Sequence, residues 1–414
     1  MQDLTDIFQS IKIQALLCIL GVVIGVITGS IDALFGIVLE KLTEFRQGFG
    51  WIFLLAIPIG AYIVSLLYYK FGGVCKKGMG LVFEVEEGKA KTIPLLLIPF
   101  AIVGTWITHL VGGSAGREGV AMQIGATVSN WFANKVQLEN ASRYFLPIGM
   151  AAGFAGLFQT PLSSVLFAME VMVAGEIRYP ILLPSLVASF VAANTSAFLG
   201  LPSSAISFDG SLVWNGHTVL LLVLLGVLFG IAGLAFSYYM HAAQHKAAQI
   251  FPNPMRKAVI LGCILSILLI VLHFGRYSGA GGNLIADAVS GKRIYAYDWF
   301  LKAVLTILTM SCGLMGGEVV PLFTIGATLG AVAGPLLGIN GAFAAMLGYA
   351  AVFAAGTNTF FAAMFVGAEV FGFQYMPYLF VVCAVAYACN KNGSIYSLQK
   401  SLFPRRNKKE EENA

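Results

Sequence analysis

Residues 151–171 read AAGFAGLFQTPLSSVLFAMEV, and residues 350–370 read AAVFAAGTNTFFAAMFVGAEV. At a constant offset of 199 they share Ala151/Ala350, Ala152/Ala351, Phe154/Phe353, Ala155/Ala354, Thr160/Thr359, Glu170/Glu369 and Val171/Val370. Just upstream, Ile-Gly-Ala-Thr recurs at 124–127 and 325–328, an offset of 201, each time after a glycine-rich break. Apolar helices often match by chance, so either pair alone carries little. Two consecutive pairs at nearly one offset, with a shared glutamate inside an apolar run, make an internal repeat. Its helices are interrupted at Gly153–Pro161 and at Gly313–Gly317. Non-helical backbone at membrane depth survives only inside protein or against a watery cavity. Repeats of this kind are typical of membrane proteins with two inverted halves, whose binding site lies between broken helices.

Outward from the repeat, the composition agrees. The 414-residue chain is 58% hydrophobic and 11% charged, with a mean hydropathy of +0.83. Soluble domains carry about 25% charged residues, which excludes a large soluble enzyme. Apolar segments lie near 11–29, 51–69, 93–110, 146–171, 180–200, 219–240, 258–274, 300–315, 321–339, 341–372 and 377–389. The connections between them read as short. The pattern divides the chain into a first half at 1–200, a second half at 201–402, and a charged tail at 403–414 expected to be disordered. The net charge of +5 does not point to nucleic acid. Much of it sits at membrane flanks and between Arg405 and Lys409, which places the tail in the cytoplasm by the positive-inside rule. Cys18, Cys75, Cys263, Cys312, Cys383 and Cys389 form no CxxC pair and read as small core residues. The N-terminus lacks the features of a signal peptide and reads as a retained first membrane helix.

Ionisable groups inside such a chain are functional candidates by default. Four glutamates qualify: Glu118, Glu170, Glu318 and Glu369. Glu118 lies in GGSAGREGVAMQIGA (112–126), where Gly116 and Gly119 let backbone approach a ligand closely. The following helix presents unpaired N–H groups, an anion site by geometry and dipole. A carboxylate there can occupy the anion's place when ionised and leave it when protonated, acting as gate and proton carrier together. The plainer alternative is a helix-start glutamate paired with Arg117. Glu318 occupies the corresponding break, GGEVVPLFTIGAT (316–328), where Pro321 suits a first helical turn. The N–H groups of Val319 and Val320 are then expected to face the gap between the halves. A rim glutamate favoured by the helix dipole is the alternative for Glu318. Glu170 and Glu369 are repeat equivalents and read as structural, bonding backbone freed by the breaks.

Other motifs are mostly negative. His241 and His245 share a helix face, but HAAQH lacks the glutamate of HExxH and a third ligand; it reads as a polar membrane-edge face. No metal site, P-loop or Ser/His/Asp set is discernible, so neither a cofactor nor an enzymatic reaction is expected. Asn392-Gly393-Ser394 reads as a turn. Tyr396 can offer its phenol to an anion or serve as an interfacial tyrosine.

GREGV at 116–120, GGEVVP at 316–321 and NGSIYSLQ at 392–399, with the repeat, resemble the CLC family of anion channels and anion/proton antiporters from about residue 10 to 400. The resemblance implies an all-α polytopic membrane protein: a CLC-type inverted repeat with broken and re-entrant helices. It also implies a homodimer with a pore in each subunit and an external gate at Glu118. The family's GSGIP, GREGP, GxFxP and late tyrosine fall here on Gly78-Met79-Gly80-Leu81-Val82, Gly116–Val120, Gly317–Pro321 and Tyr396. Three departures stand out. Met79 replaces a pore serine, Val319 replaces the phenylalanine with Glu318 before it, and Val171 stands where exchangers carry an inner proton-relay glutamate. Val120 also replaces the usual proline. This set is similar to the bacterial fluoride-exporting subgroup, although nothing in a methionine's physics selects fluoride; a missing hydroxyl argues only against ordinary chloride coordination.

The expectation is a secondary active fluoride/proton antiporter of a bacterial inner membrane, exporting fluoride in exchange for protons. Glu118 and Glu318 are expected to serve gating and proton transfer. Met79, Gly80, Arg117, Gly119, Val120, Val319, Val320 and Tyr396 are expected to line the anion pathway. The partners are a small anion, protons, the lipid bilayer and a second copy of the chain. The rivals are a chloride or nitrate exchanger, a passive anion channel, and a scaffold disfavoured by its buried carboxylates.

Overall fold

The computed structural model describes residues 2–136, 138–390 and 393–402. Asn392 and the expected tail lie outside the described residues. Sixteen α-helices are described, eight on either side of an irregular linker at 201–215. The first eight are α1 (Gln2–Gly48), α2 (Ile57–Phe71), α3 (Met79–Glu86), α4 (Leu97–Val111), α5 (Glu118–Ala133), α6 (Ala141–Phe158), α7 (Pro161–Glu170) and α8 (Leu182–Phe198). The second eight are α9 (Gly216–Ile250), α10 (Pro254–Val271), α11 (Gly282–Val289), α12 (Asp298–Ser311), α13 (Val319–Leu336), α14 (Gly341–Thr357), α15 (Phe361–Phe371) and α16 (Met376–Cys389). In order, the two sets match. Each opens with its longest helix, has an eight-residue helix third, and breaks between the sixth and seventh.

Local chemistry sets these boundaries. Asn215, Asn253 and Asn340 accept backbone N–H groups at the starts of α9, α10 and α14, satisfying donors that a helix start leaves free. Gly112 ends α4 and begins the break before α5, and Gly313, two residues past α12, begins the break before α13; both adopt positive φ. Gln159 and Asn358 stop α6 and α14 in the left-handed conformation, at φ 57 and 58°.

The helices pack by the absence of side chains. A β-carbon on Gly21 would lie 3.0 Å from the Pro184 carbonyl, and one on Gly25 would lie 2.7 Å from that of Ala188, which holds α1 on α8. In the second half, β-carbons on Gly226 and Gly230 would lie 3.0 and 2.9 Å from the Val382 and Ala386 carbonyls, which brings α9 onto α16. Small residues allow such backbone approach where lipid supplies no hydrophobic drive between helices. Gly125 of α5 is likewise pressed on the Gly149 carbonyl of α6, and Gly326 of α13 on that of Gly348 of α14. A column of aromatic rings fills the centre. It runs from Phe167 to Phe353 (5.9 Å between centroids), then Phe323 (4.9 Å) and Tyr349 (4.1 Å).

Several expectations need correction. Each of the eleven apolar segments contains helix, but α3, α5 and α11 were not marked by apolarity. The central helix α5 carries Gln123, Ser129 and Asn130 and is buried among protein rather than lipid. The apolar stretch 11–29 is part of a longer helix, the 47-residue α1, about 70 Å long at 1.5 Å per residue, against a hydrocarbon core of about 30 Å. Six described segments are long and apolar enough to cross a membrane, while four apolar helices are shorter, as broken spans require. The connections are not all short. The linker at 201–215 is fastened by Ile206 N–H to the Val370 carbonyl (2.8 Å) and by the Tyr378 hydroxyl to the Leu212 carbonyl (2.6 Å). All six cysteines are free thiols, and only Cys75, Cys312 and Cys383 are buried; Cys263 is exposed on α10.

Candidate anion and proton pathway

At the centre of the molecule the two halves are joined by a reciprocal backbone bridge. Gly116 N–H donates to the Gly317 carbonyl at 2.6 Å, and Gly317 N–H returns the bond to Gly116 at 2.8 Å. Such reciprocity is what a two-fold relation produces, and the offset is again 201. A β-carbon on Gly116 would sit 2.5 Å from Glu118 Oε2 and 3.0 Å from the Gly317 carbonyl oxygen, so this seam admits only glycine.

Glu118 is the first residue of α5 and is fully buried at the seam. Its Oε2 accepts the Arg117 N–H at 3.0 Å and, from the other half, the Val320 N–H at 3.2 Å. Its Oε1 is buried with no partner among the described residues. The alternative of a glutamate paired with Arg117 is overturned, because the Arg117 guanidinium bonds Glu40 at 3.1 Å. The carboxylate thus takes main-chain donors from the starts of two facing helices, α5 and α13. An inorganic anion would use the same donors.

Two cavities flank this residue. One, of about 540 Å³, is lined by Arg46, His109, Arg117, Gly281, Gly282 and Val320 among others. The other, of about 440 Å³, is lined by Met79, Gly80, Gly119, Gln123, Glu318 and Tyr396 among others. They lie at opposite ends of α12, since Met310 lines the second while Lys302 bonds the Gly279 carbonyl in the wall of the first. The repeat alignment puts Arg117 with Glu318 and Gly119 with Val320. Arg117 and Val320 face the first cavity, while Gly119 and Glu318 face the second. The two-fold therefore exchanges the two cavities, as an inverted repeat demands.

The structure brings together most of the residues singled out in the sequence. Met79 begins α3 after Gly78, which adopts φ 51°. With Gly80 it presents a helix start to the second cavity, where Glu318, the N-cap of α13, also lies. Tyr396 is buried against Phe83 and Phe167, with its hydroxyl unpartnered among the described residues. The Val120 side chain packs with Phe35, Leu39 and Leu157, and that of Val319 is 1% exposed in the main core; neither side chain is among those lining these two cavities. Pro321 is the third residue of α13, within its first turn.

Glu170 and Glu369 exchange caps between the halves. Glu170 accepts N–H groups of Phe361 and Ala362 at the start of α15, both at 3.0 Å. Glu369 accepts those of Leu162 and Ser163 at the start of α7, at 3.0 and 2.8 Å. His241 bonds the Ser394 carbonyl at 2.7 Å and lines the second cavity, while His245 is exposed. Sequence reasoning missed Arg46, His109 and Lys302. Lys302 was detectable as a lysine inside the apolar run 300–315. It is fully buried, bonded to Ser114 Oγ and to the Gly279 and Tyr277 carbonyls at 2.9, 2.7 and 3.3 Å.

The family model described as "Voltage gated chloride channel" matches residues 60–391. The crystal structure of a CLC-type fluoride/proton antiporter superposes with a TM-score of 0.91 at 46% identity, covering 94% of this chain and 98% of that one. A "Chloride/fluoride channel protein" of Pseudomonas syringae pv. tomato is 30% identical over 384 residues, 91% of this chain and 84% of that protein. An H(+)/Cl(-) exchange transporter of Yersinia pestis bv. Antiqua is 25% identical over 377 residues, covering 83% and 78% respectively.

Proposed function

Because the chain belongs to the voltage-gated chloride channel (CLC) family, a family of multi-pass membrane transport proteins, we propose that it exports fluoride in exchange for protons. The observation that carries this reading is the Glu118 carboxylate, lodged on donors from both halves between two cavities. A solvated anion can reach the carboxylate from either cavity, but cannot pass into the other cavity while the carboxylate is in place. Protonation removes the charge that holds Glu118 to Arg117 and Val320. A fluoride can then take those N–H groups, and the swinging acid carries its proton in the opposite direction. One set of donors serving two anions in turn makes exchange obligatory.

Selectivity and proton supply rest on the second cavity. Met79 offers no hydroxyl where chloride-handling relatives place a serine, so dehydrated chloride finds one donor fewer. Val171 cannot relay protons, and Glu318, within the same cavity as Tyr396 and Gly119, supplies the carboxylate. The remaining pathway residues are Gly80, through its N–H at the start of α3, and Arg117, as a fixed cation at the far mouth. We place the protein in a bacterial inner membrane as a homodimer, with the C-terminal segment and second cavity facing the cytoplasm, and assign 1–200 and 201–402 to the two repeat halves.

The test is efflux from proteoliposomes, recording fluoride, chloride and pH while valinomycin sets the voltage. Fluoride leaving with uphill proton movement and little chloride flux is expected. Chloride flux of equal size would assign Met79 no selective role. Fast fluoride loss without protons would make the protein a channel.

A further inference from the structure

We propose that the cavity on the Arg117 face contains a second, separate anion site, built from the N-terminus of α11 and the guanidinium of Arg46, and occupied by fluoride in passage. The proposal rests on the transport reading for its ligand, but the site itself is argued from geometry. The chain's two-fold relates α3 to α11. Both are eight residues long and both follow a glycine at positive φ, Gly78 at 51° and Gly281 at 102°. The start of α3 lines one cavity through Met79 and Gly80; the start of α11 lines the other through Gly281, Gly282 and Asn283. No side chain caps α11, and a helix start without a cap holds donors for an anion.

An independent observation points to a ligand at that place. Arg46 lines the same cavity, is only 5% exposed, and its Nε is buried without a partner among the described residues. One Nη bonds Ser278 Oγ at 2.8 Å, which fixes the guanidinium against the loop leading into α11. Lys302 lies behind the wall, bonded to the carbonyl of Gly279 and to Ser114, with no carboxylate among its bonds. Opposing charge is limited. Glu40 is engaged by Arg117, and Glu44 lies on the exposed rim. A cation buried with an unused donor is costly unless an anion shares its site. The ligand class is a small inorganic anion. The donors are two main-chain N–H groups and a guanidinium edge, and they lie outside the Glu118 seam. This site therefore collects anions before or after the selective step and should accept halides that are not transported.

Bromide is the probe. Crystals of the full-length wild-type protein soaked in sodium bromide should show an anomalous peak between Arg46 and Gly282, and the peak should vanish in Arg46→Gln. Absence of the peak in wild type, or its persistence in Arg46→Gln, would overturn the proposal. In proteoliposomes, the half-saturating fluoride concentration on this face should rise about tenfold in Arg46→Gln with the proton-to-fluoride ratio unchanged. Arg46→Lys, which keeps the charge and loses Nε, should fall between. An unchanged half-saturation in both variants would also overturn it. Wild-type protein that moves fluoride without protons would refute the exchange reading while leaving the bromide peak expected, so the two failures are distinguishable.

Discussion

At the scale of single residues, the two-fold is broken where chemistry needs it broken. The position that carries Arg117 toward one cavity carries Glu318 toward the other, so in the proposed path a fixed cation and a carboxyl group guard opposite mouths. Glu118→Gln keeps the shape and removes the exchangeable charge. It should abolish proton movement coupled to fluoride, measured as loss of the pH change that accompanies efflux. Glu318→Gln should slow exchange about tenfold or more while leaving thermal unfolding in detergent close to wild type. Glu369→Ala should do the reverse. It removes two charge-assisted bonds from the start of α7 and should cost about 2–3 kcal/mol of stability, seen as a lower melting temperature with the coupling ratio retained. Equal transport defects in the two would return Glu318 to a rim residue. Arg117 illustrates what one sequence conceals: its neighbour Glu118 is adjacent in the chain, yet its ion partner Glu40 is 77 residues away.

At the scale of elements, the glycines decide the packing. Gly125 and Gly326 are equivalent positions pressed against equivalent carbonyls, so Gly125→Ala and Gly326→Ala should destabilise the protein by similar amounts, about 1–3 kcal/mol each as for other overpacked cores. Melting temperatures of the two variants check this, and a large difference would mean that the halves bear unequal strain. Glycine and proline in the apolar runs made both breaks legible, at 313–317 as read, but near 153–161 only in part, because α6 continues to Phe158 and the chain breaks at Gln159 and Thr160. The helices α3, α5 and α11 were not, because a helix buried among protein needs no continuous apolar face. Glu118, Glu318 and Tyr396 were legible through motif and resemblance. The burial of the Val120 and Val319 side chains was not legible, because a motif gives the backbone's place, while the side chain's direction depends on the helix that follows. Arg46 was hidden because a cation at the end of an apolar run looks like any membrane flank.

At the scale of the whole molecule, exchange of an anion for a proton gives the transport reading an electrical signature. If exchange is one for one, a fluoride leaving and a proton entering both move positive charge inward, two charges in each cycle. At about 2.3 kcal/mol per charge per 100 mV, a 100 mV potential then holds a fluoride gradient of roughly a thousandfold or more. A channel, moving one charge, holds only about fiftyfold. The fluoride gradient at which net flux stops, measured at fixed pH on both sides, separates the two. The exchanged caps carry a further consequence, for biosynthesis. The start of α7 waits for Glu369, 206 residues further along. At about 5–20 residues per second, the ribosome delivers that partner roughly 10–40 seconds after Ser163 has been made. Through that interval the first half sits in the membrane with two unsatisfied donors at the foot of a broken helix. Nascent chains truncated before Glu369 should therefore be markedly more sensitive to membrane proteases than those released just after it.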